Sequence, residues 1–142
     1  MSDYKYILIP IIAVVVAQII KTIIETIKYK KFNIERLFNG SGGMPSSHST
    51  LVVSLVTLIG LNYGVDSVYF AISFILSLVV LYDAMGIRYE TGKQAEVINK
   101  ISRQMKFKDI IALKEKIGHE PIEVFGGVVL GIVMAILLNN LF

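Results

Sequence analysis

This 142-residue chain contains two histidines, and each stands beside groups that would fit it for catalysis. His119 is followed four residues later by Glu123, a spacing that on a helix brings an imidazole within reach of a carboxylate. A carboxylate on one ring nitrogen fixes the tautomer and leaves the other nitrogen basic and aimed, as a nucleophile or general base requires. His48 closes the run Gly40-Ser41-Gly42-Gly43-Met44-Pro45-Ser46-Ser47-His48. That run has the physics of an anion cradle. Glycines, Gly43 among them, let backbone approach a ligand, Pro45 suits a first helical turn, and free N–H groups at a helix start attract phosphate. One histidine to attack and one to donate a proton would suffice for phosphoryl transfer. The equatorial oxygens of the transferred group would then need cations, for which Lys21, Arg88 and Lys93 are the candidates. Arg88 is the strongest, because its planar fork binds phosphate bidentately and Asp83 stands close enough in sequence to orient it. Asp83 as a metal ligand lacks partners at a recognisable spacing, so no metal site is expected.

Each of these features also has a plainer reading. The glycine run would serve as a loop ending in a serine N-cap, and His119 with Glu123 as an ion pair at a helix start. Lys21 can pair with Glu25 one turn on, while Arg88 and Lys93 can reach lipid headgroups by extending their stems.

The elements that must position these residues are apolar. The chain is 54% hydrophobic and 18% charged, and its apolar residues fall in blocks. A soluble domain of this size would have difficulty hiding them from water, so the expected class is an all-α integral membrane bundle in a single domain, residues 1–142. Four spans are expected, at about residues 6–27, 46–62, 65–86 and 121–141, each roughly long enough for a ~30 Å apolar core. The first lacks a strongly basic start and a small-x-small cleavage pattern, and reads as a retained span. A short turn at Asn62, Tyr63 and Gly64 makes the second and third an antiparallel hairpin. Residues 93–117 carry Val97, Ile98, Ile101 and Met105 at helical spacing with charges opposite, which predicts an amphipathic helical segment lying at the interface.

There is no cysteine, so thiolate chemistry and disulfides are excluded. The net charge of +3 comes from Lys and Arg gathered between the apolar blocks, a pattern that suits a membrane surface and not nucleic acid. The connection after the first span carries Lys28, Lys30, Lys31 and Arg36. The one after the third carries eight more basic residues from Arg88 to Lys116, and the turn at Asn62 carries none. Both basic connections are therefore expected on the cytoplasmic side of the plasma membrane and both termini outside. That orientation gathers Lys21, Ser46 to His48, Asp83 to Arg88, and His119 to Glu123 at one set of span ends. Ionisable groups at such depth are costly unless they face a polar cavity, so their convergence suggests a site.

Three blocks, Gly42-Gly43-Met44-Pro45-Ser46-Ser47-His48-Ser49, Tyr82-Asp83-Ala84-Met85-Gly86-Ile87-Arg88 with Gly92-Lys93-Gln94-Ala95, and Gly118-His119-Glu120-Pro121-Ile122-Glu123-Val124, occur in that order. Together they resemble the divergent branch of the type 2 phosphatidic acid phosphatase superfamily, which is related to the vanadium-dependent haloperoxidases. The resemblance spans nearly the whole chain. It implies a lipid phosphatase in which His119 becomes phosphohistidine, His48 donates the proton, Glu123 orients His119, and Ser46 and Ser47 bind phosphate with nearby N–H groups. It also implies that neither a metal nor an organic cofactor is used.

The departures from that pattern are specific. Arg36 is followed by Leu37 where an Arg-Pro pair would stand, and Leu113 occupies the place of an arginine six residues before the nucleophile. Glu123 replaces an aspartate and Ser47 a glycine. The phosphate clamp must then be rebuilt from Lys21, Arg88 or Lys93. Four spans are fewer than the six usual in the membrane branch, so a homodimer would complete the bundle. Three functions remain open at this point: a metal-independent phosphatase acting on a lipid phosphate or diphosphate, a non-catalytic phospholipid-binding or transport protein that keeps the anion cradle, and, as the weakest, a structural subunit of a larger membrane complex.

Overall fold

Each apolar block folds as a helix, because in lipid a chain must satisfy its backbone polar groups within itself. The structure, a computed structural model, describes residues 4–29, 43–105, 111–115 and 117–142. It contains α1 (Lys5–Tyr29), α2 (Ser47–Tyr63), α3 (Val68–Met85), α4 (Ile87–Gln104) and α5 (Pro121–Asn139), with no strand among the described residues. Gly40, Ser41 and Gly42 of the glycine run, and Lys30, Lys31, Arg36, Leu37, Lys106, Lys108 and Lys116, lie outside the described residues.

Three stretches are long and apolar enough to cross a membrane: Lys5–Lys28, Val68–Gln104, in which α3 runs on into α4, and Pro121–Asn139. The fourth expected span, α2, has 17 residues, a length of about 26 Å at 1.5 Å per residue. It forms the centre of the bundle, packed against α1, α3 and α5. Large apolar side chains face outward, with Ile72, Ile75 and Val79 of α3 each 59–64% exposed, as expected where lipid is the solvent.

Polar side chains fix which helix ends meet. Lys5 Nζ, although buried, donates to Asn62 Oδ1 at 2.6 Å and Asn139 Oδ1 at 3.1 Å, and Asn62 Nδ2 donates to Asn139 Oδ1 at 2.9 Å. This cluster joins the start of α1 to the ends of α2 and α5, so α1 runs antiparallel to both. The buried face of α1 repeats every fourth residue, Lys5, Ile9, Ala13, Ala17 and Lys21, and delivers a second buried lysine to the opposite end of the bundle. That end also receives the start of α2, the end of α3 and the start of α5.

The α2–α5 contact is made by small residues. Gly127 and Gly131 are buried one turn apart, and Thr50 Oγ1 donates to both Ser46 O (2.9 Å) and Gly127 O (3.2 Å). A Cβ at Gly127 would lie 2.5 Å from the Ser46 carbonyl, which holds this position to glycine.

Two sequence expectations need correction. Pro45 was expected in the first turn of a helix, but it precedes the N-cap: Ser46 Oγ accepts from Ser49 N–H, so α2 begins at Ser47. The interfacial helix was expected over 93–117, yet α4 runs from Ile87, one residue after α3, and ends at Gln104. Residues 111–115 are not helical. Asn99 explains why, since its side chain takes both backbone groups of Leu113: Nδ2 donates to Leu113 O (2.8 Å) and Oδ1 accepts Leu113 N–H (2.9 Å). A tertiary amide pair replaces the intrahelical bonds these groups would otherwise make.

Gly127→Ala should cost about 1–3 kcal/mol, the scale of overpacking in a close contact, and lower Tm in detergent. Gly126→Ala, whose Cβ would first meet the flexible end of Met44, should cost less. Equal losses would contradict this packing.

Candidate active site

Glu123, the third residue of α5, gathers most of the site. Pro121 opens the helix with Glu120 as N-cap, which leaves His119 just outside it. The His119–Glu123 contact nevertheless forms, with His119 Nδ1 3.0 Å from Glu123 Oε2. It arises from the cap and not from helical stacking: the Glu123 carboxylate reaches back to accept Glu120 N–H at 3.2 Å and meets the imidazole on the way. The backbone at this point is tied to the end of α3, because the His119 backbone N–H donates to Ala84 O at 3.1 Å.

Glu123 also binds the glycine loop. Its carboxylate accepts the Gly43 N–H, and its backbone carbonyl accepts Ser46 N–H at 3.0 Å. Gly43 has φ +137°, and a Cβ there would lie 2.8 Å from Lys21 Cε and 2.9 Å from Glu25 Oε1. Glycine is thus required for the loop to lie against α1 while aiming its N–H at Glu123.

His48 sits on the first turn of α2, exposed, in the electrostatic field of Arg88, His119 and Lys21 and of the Asp83 carboxylate. His48, Asp83, Arg88 and His119 line one cavity of about 810 Å³. Its remaining wall is the apolar flank of α3 from Leu78 to Met85, together with Ile87. Since Nδ1 of His119 faces Glu123, Nε2 is the nitrogen available to this cavity. Arg88 Nε binds Asp83 Oδ2 at 2.5 Å across the Gly86 break, which leaves the two Nη groups of the fork for another anion. The cavity therefore has an imidazole-and-guanidinium head and a hydrocarbon side.

The other expected contacts are placed differently. Ser46 is fully buried and its hydroxyl accepts from Ser49 Oγ–H (2.9 Å) and Ser49 N–H (3.4 Å), so it shapes the start of α2. Ser47 is half-buried at the first helical position, where its N–H and that of His48 precede the first intrahelical acceptor. Lys21 is buried at the Gly43 loop. Lys93 is not brought to this cavity: it lies 4.4 Å above the Tyr89 ring, pairs with Glu90 at 3.4 Å, and lines a second, polar pocket with Glu96, Glu115, Glu120 and Glu123. Among the described residues no three His, Asp or Glu side chains are grouped as a metal site would need. Sequence reasoning missed the Gly43 and Ser46 bonds to Glu123 and the hydrocarbon wall of α3. The paired glycines and the long apolar run before Asp83 were the signals for them.

The model of the Divergent PAP2 family matches residues 2–134. The chain belongs to that family. A protein of Bacillus subtilis (strain 168) described as "Uncharacterized membrane protein YuiD" is 39% identical over 144 residues, covering 92% of this chain and 90% of that protein. No solved structure matches. Membership in the Divergent PAP2 family, and a relative described as a membrane protein, agree with the apolar helices.

With only two histidines present, ring 15N shifts will report their tautomers cleanly. His119 should carry its proton on Nδ1, and Glu123→Ala should move it toward the Nε2–H form and cost about 1 kcal/mol for the lost cap. An unchanged His119 tautomer in that variant would contradict the assignment.

Proposed function

We propose that this protein is a metal-independent phosphatase that hydrolyses a lipid phosphate or diphosphate through a phosphohistidine. The observation that carries the reading is the single cavity shared by His48, Arg88 and His119, with an apolar wall on α3 suited to an acyl or prenyl chain. His119 Nε2 attacks phosphorus in line, forming the N–P bond as the bond to the ester oxygen breaks. His48 gives its proton to the departing oxygen. Glu123 stabilises the imidazolium that forms, and Arg88 with the Ser47 and His48 N–H groups neutralises the equatorial oxygens. Asp83 holds Arg88 in place. Water, deprotonated by His48, then attacks the phosphohistidine, releasing phosphate and regenerating His119. Lys21, buried beside the loop, supplies positive potential to the same region. The Lys/Arg excess in the two connections at this end supports a cytoplasmic placement in the plasma membrane.

Purified protein assayed against phosphatidic acid, phosphatidylglycerophosphate and polyprenyl phosphates should release phosphate from at least one. His119→Ala should abolish turnover, and His48→Ala should lower kcat by about 10²–10⁴-fold, the usual range for a lost general acid–base. Lys93→Ala should change the rate by less than about twofold, as befits an exposed pair outside the cavity. Wild type no better than His119→Ala would defeat the catalytic reading, and a phospholipid co-purifying equally with both would favour a non-catalytic lipid-binding protein.

A further inference from the structure

α4 has three faces, and packing within the chain accounts for one of them. Gly92, Ala95 and Asn99 are buried, toward residues 111–115 and 117–118. Lys93, Glu96 and Lys100 form a charged face, on which Glu96 and Lys100 pair at 2.7 Å. Between these runs a stripe of Ile87, Ile98, Ile101 and Met105, which are 66%, 47%, 48% and 62% exposed. At 100° per residue the four fall within about 60° of one another.

A lipid surface is the occupant that the surroundings specify. α4 follows α3 with only Gly86 between them, so its first turn continues directly from an apolar helix of the bundle. Ile87, the first residue of the stripe, already lines the cavity beside the apolar flank of α3. The helix carries Arg88, Lys93, Lys100 and Arg103 against Glu90 and Glu96, an excess that favours anionic headgroups.

α4 is also bound to both chemical ends of the cavity. Its first turn holds Arg88. Its buried face holds the segment leading to His119: Asn99 takes both backbone groups of Leu113, and Arg103 pairs with Glu115 at 3.4 Å. Gly92 and Gly118 lack the Cβ atoms that would collide with the Glu115 carbonyl and the Tyr89 backbone. His119 is the next residue after Gly118. A shift of α4 must therefore move Arg88 and the lead-in to His119 together.

We propose that α4 docks its Ile87–Met105 stripe on an anionic lipid surface, and that this docking sets where Arg88 and His119 stand against His48 of α2, so that the site binds anions well only against such a surface. The coupling rests on the reading of the cavity as a phosphate site; the docking does not.

The chain has no cysteine, so single-cysteine spin labels at Ile98→Cys and Lys100→Cys in the full-length protein are free of background. In vesicles of phosphatidylcholine with phosphatidylglycerol, the label at 98 should be shielded from a water-soluble nickel chelate and reached by oxygen, while the label at 100 stays open to the chelate. Equal chelate access at the two positions, with and without phosphatidylglycerol, would overturn the docking. Orthovanadate, a mimic of the transferring phosphoryl group, then probes the site by calorimetry. Omitting phosphatidylglycerol, or substituting Ile98→Asp with Ile101→Asp, should each weaken vanadate binding by about tenfold, the scale of a modest coupling between sites. If the double variant loses helix content by circular dichroism, Ile98→Gln carries the same comparison. Vanadate affinity indifferent to both changes would overturn the coupling. Failure of wild type to bind vanadate at all would overturn the phosphate-site reading and the coupling with it, while the labels would still report docking.

Discussion

A carboxylate at the head of a membrane helix must be surrounded by donors, and those around Glu123 assemble the site. The Gly43 N–H, the Glu120 N–H and His119 Nδ1 all converge on it, and its own carbonyl takes the Ser46 N–H. One residue thereby joins the glycine loop, the start of α2 and the lead-in to α5. The glycine contacts of α2 with α5 continue this joint downward, through Gly127 against Ser46 and Gly131 against Thr50. The Lys5–Asn62–Asn139 cluster closes the same helices at the far end. Held at both ends, α2 and α5 are a rigid pair against which α1 and α3 are set.

The candidate site lies at the end of the bundle where α1, α2, the α3–α4 junction and α5 all deliver polar groups. α1 contributes Lys21, α2 contributes His48, the α3–α4 junction contributes Asp83 and Arg88, and α5 contributes Glu123 with His119 just before it. Charged groups at this depth are tolerable because they pair or face a cavity, and the cavity's hydrocarbon wall on α3 sets an apolar surface beside the polar head.

Much of the fold was legible because lipid imposes a simple rule: an apolar block long enough to cross becomes a helix. Ser46 as N-cap and Gly64 as the turn before α3 could also be read from residue type. The bounds of α4 could not. Residues 111–115 look helical by pattern but are not helical, and Asn99 holds Leu113 among them by a bond between residues 14 apart that no local period encodes. In the site, spacing pointed to the His119–Glu123 contact, although the geometry that makes it is a cap. Arg88 and Lys93 looked alike in sequence, yet lie about 140° apart around one helix, so only Arg88 meets the cavity. The polar contacts of Ser46 were hidden for a related reason. A hydroxyl beside a histidine reads as a ligand contact, whereas this one is spent on Ser49.

The account turns on His119 as the atom that accepts phosphorus. The most direct measurement is an alkaline quench of the protein mixed with a hydrolysable lipid phosphate, followed by mass spectrometry of the peptide containing residue 119. Phosphate should be found on His119, stable to base and labile to acid. It should accumulate in His48→Ala, which lacks the group proposed to activate water. Turnover with no phosphate on His119, in either wild type or His48→Ala, would contradict the account.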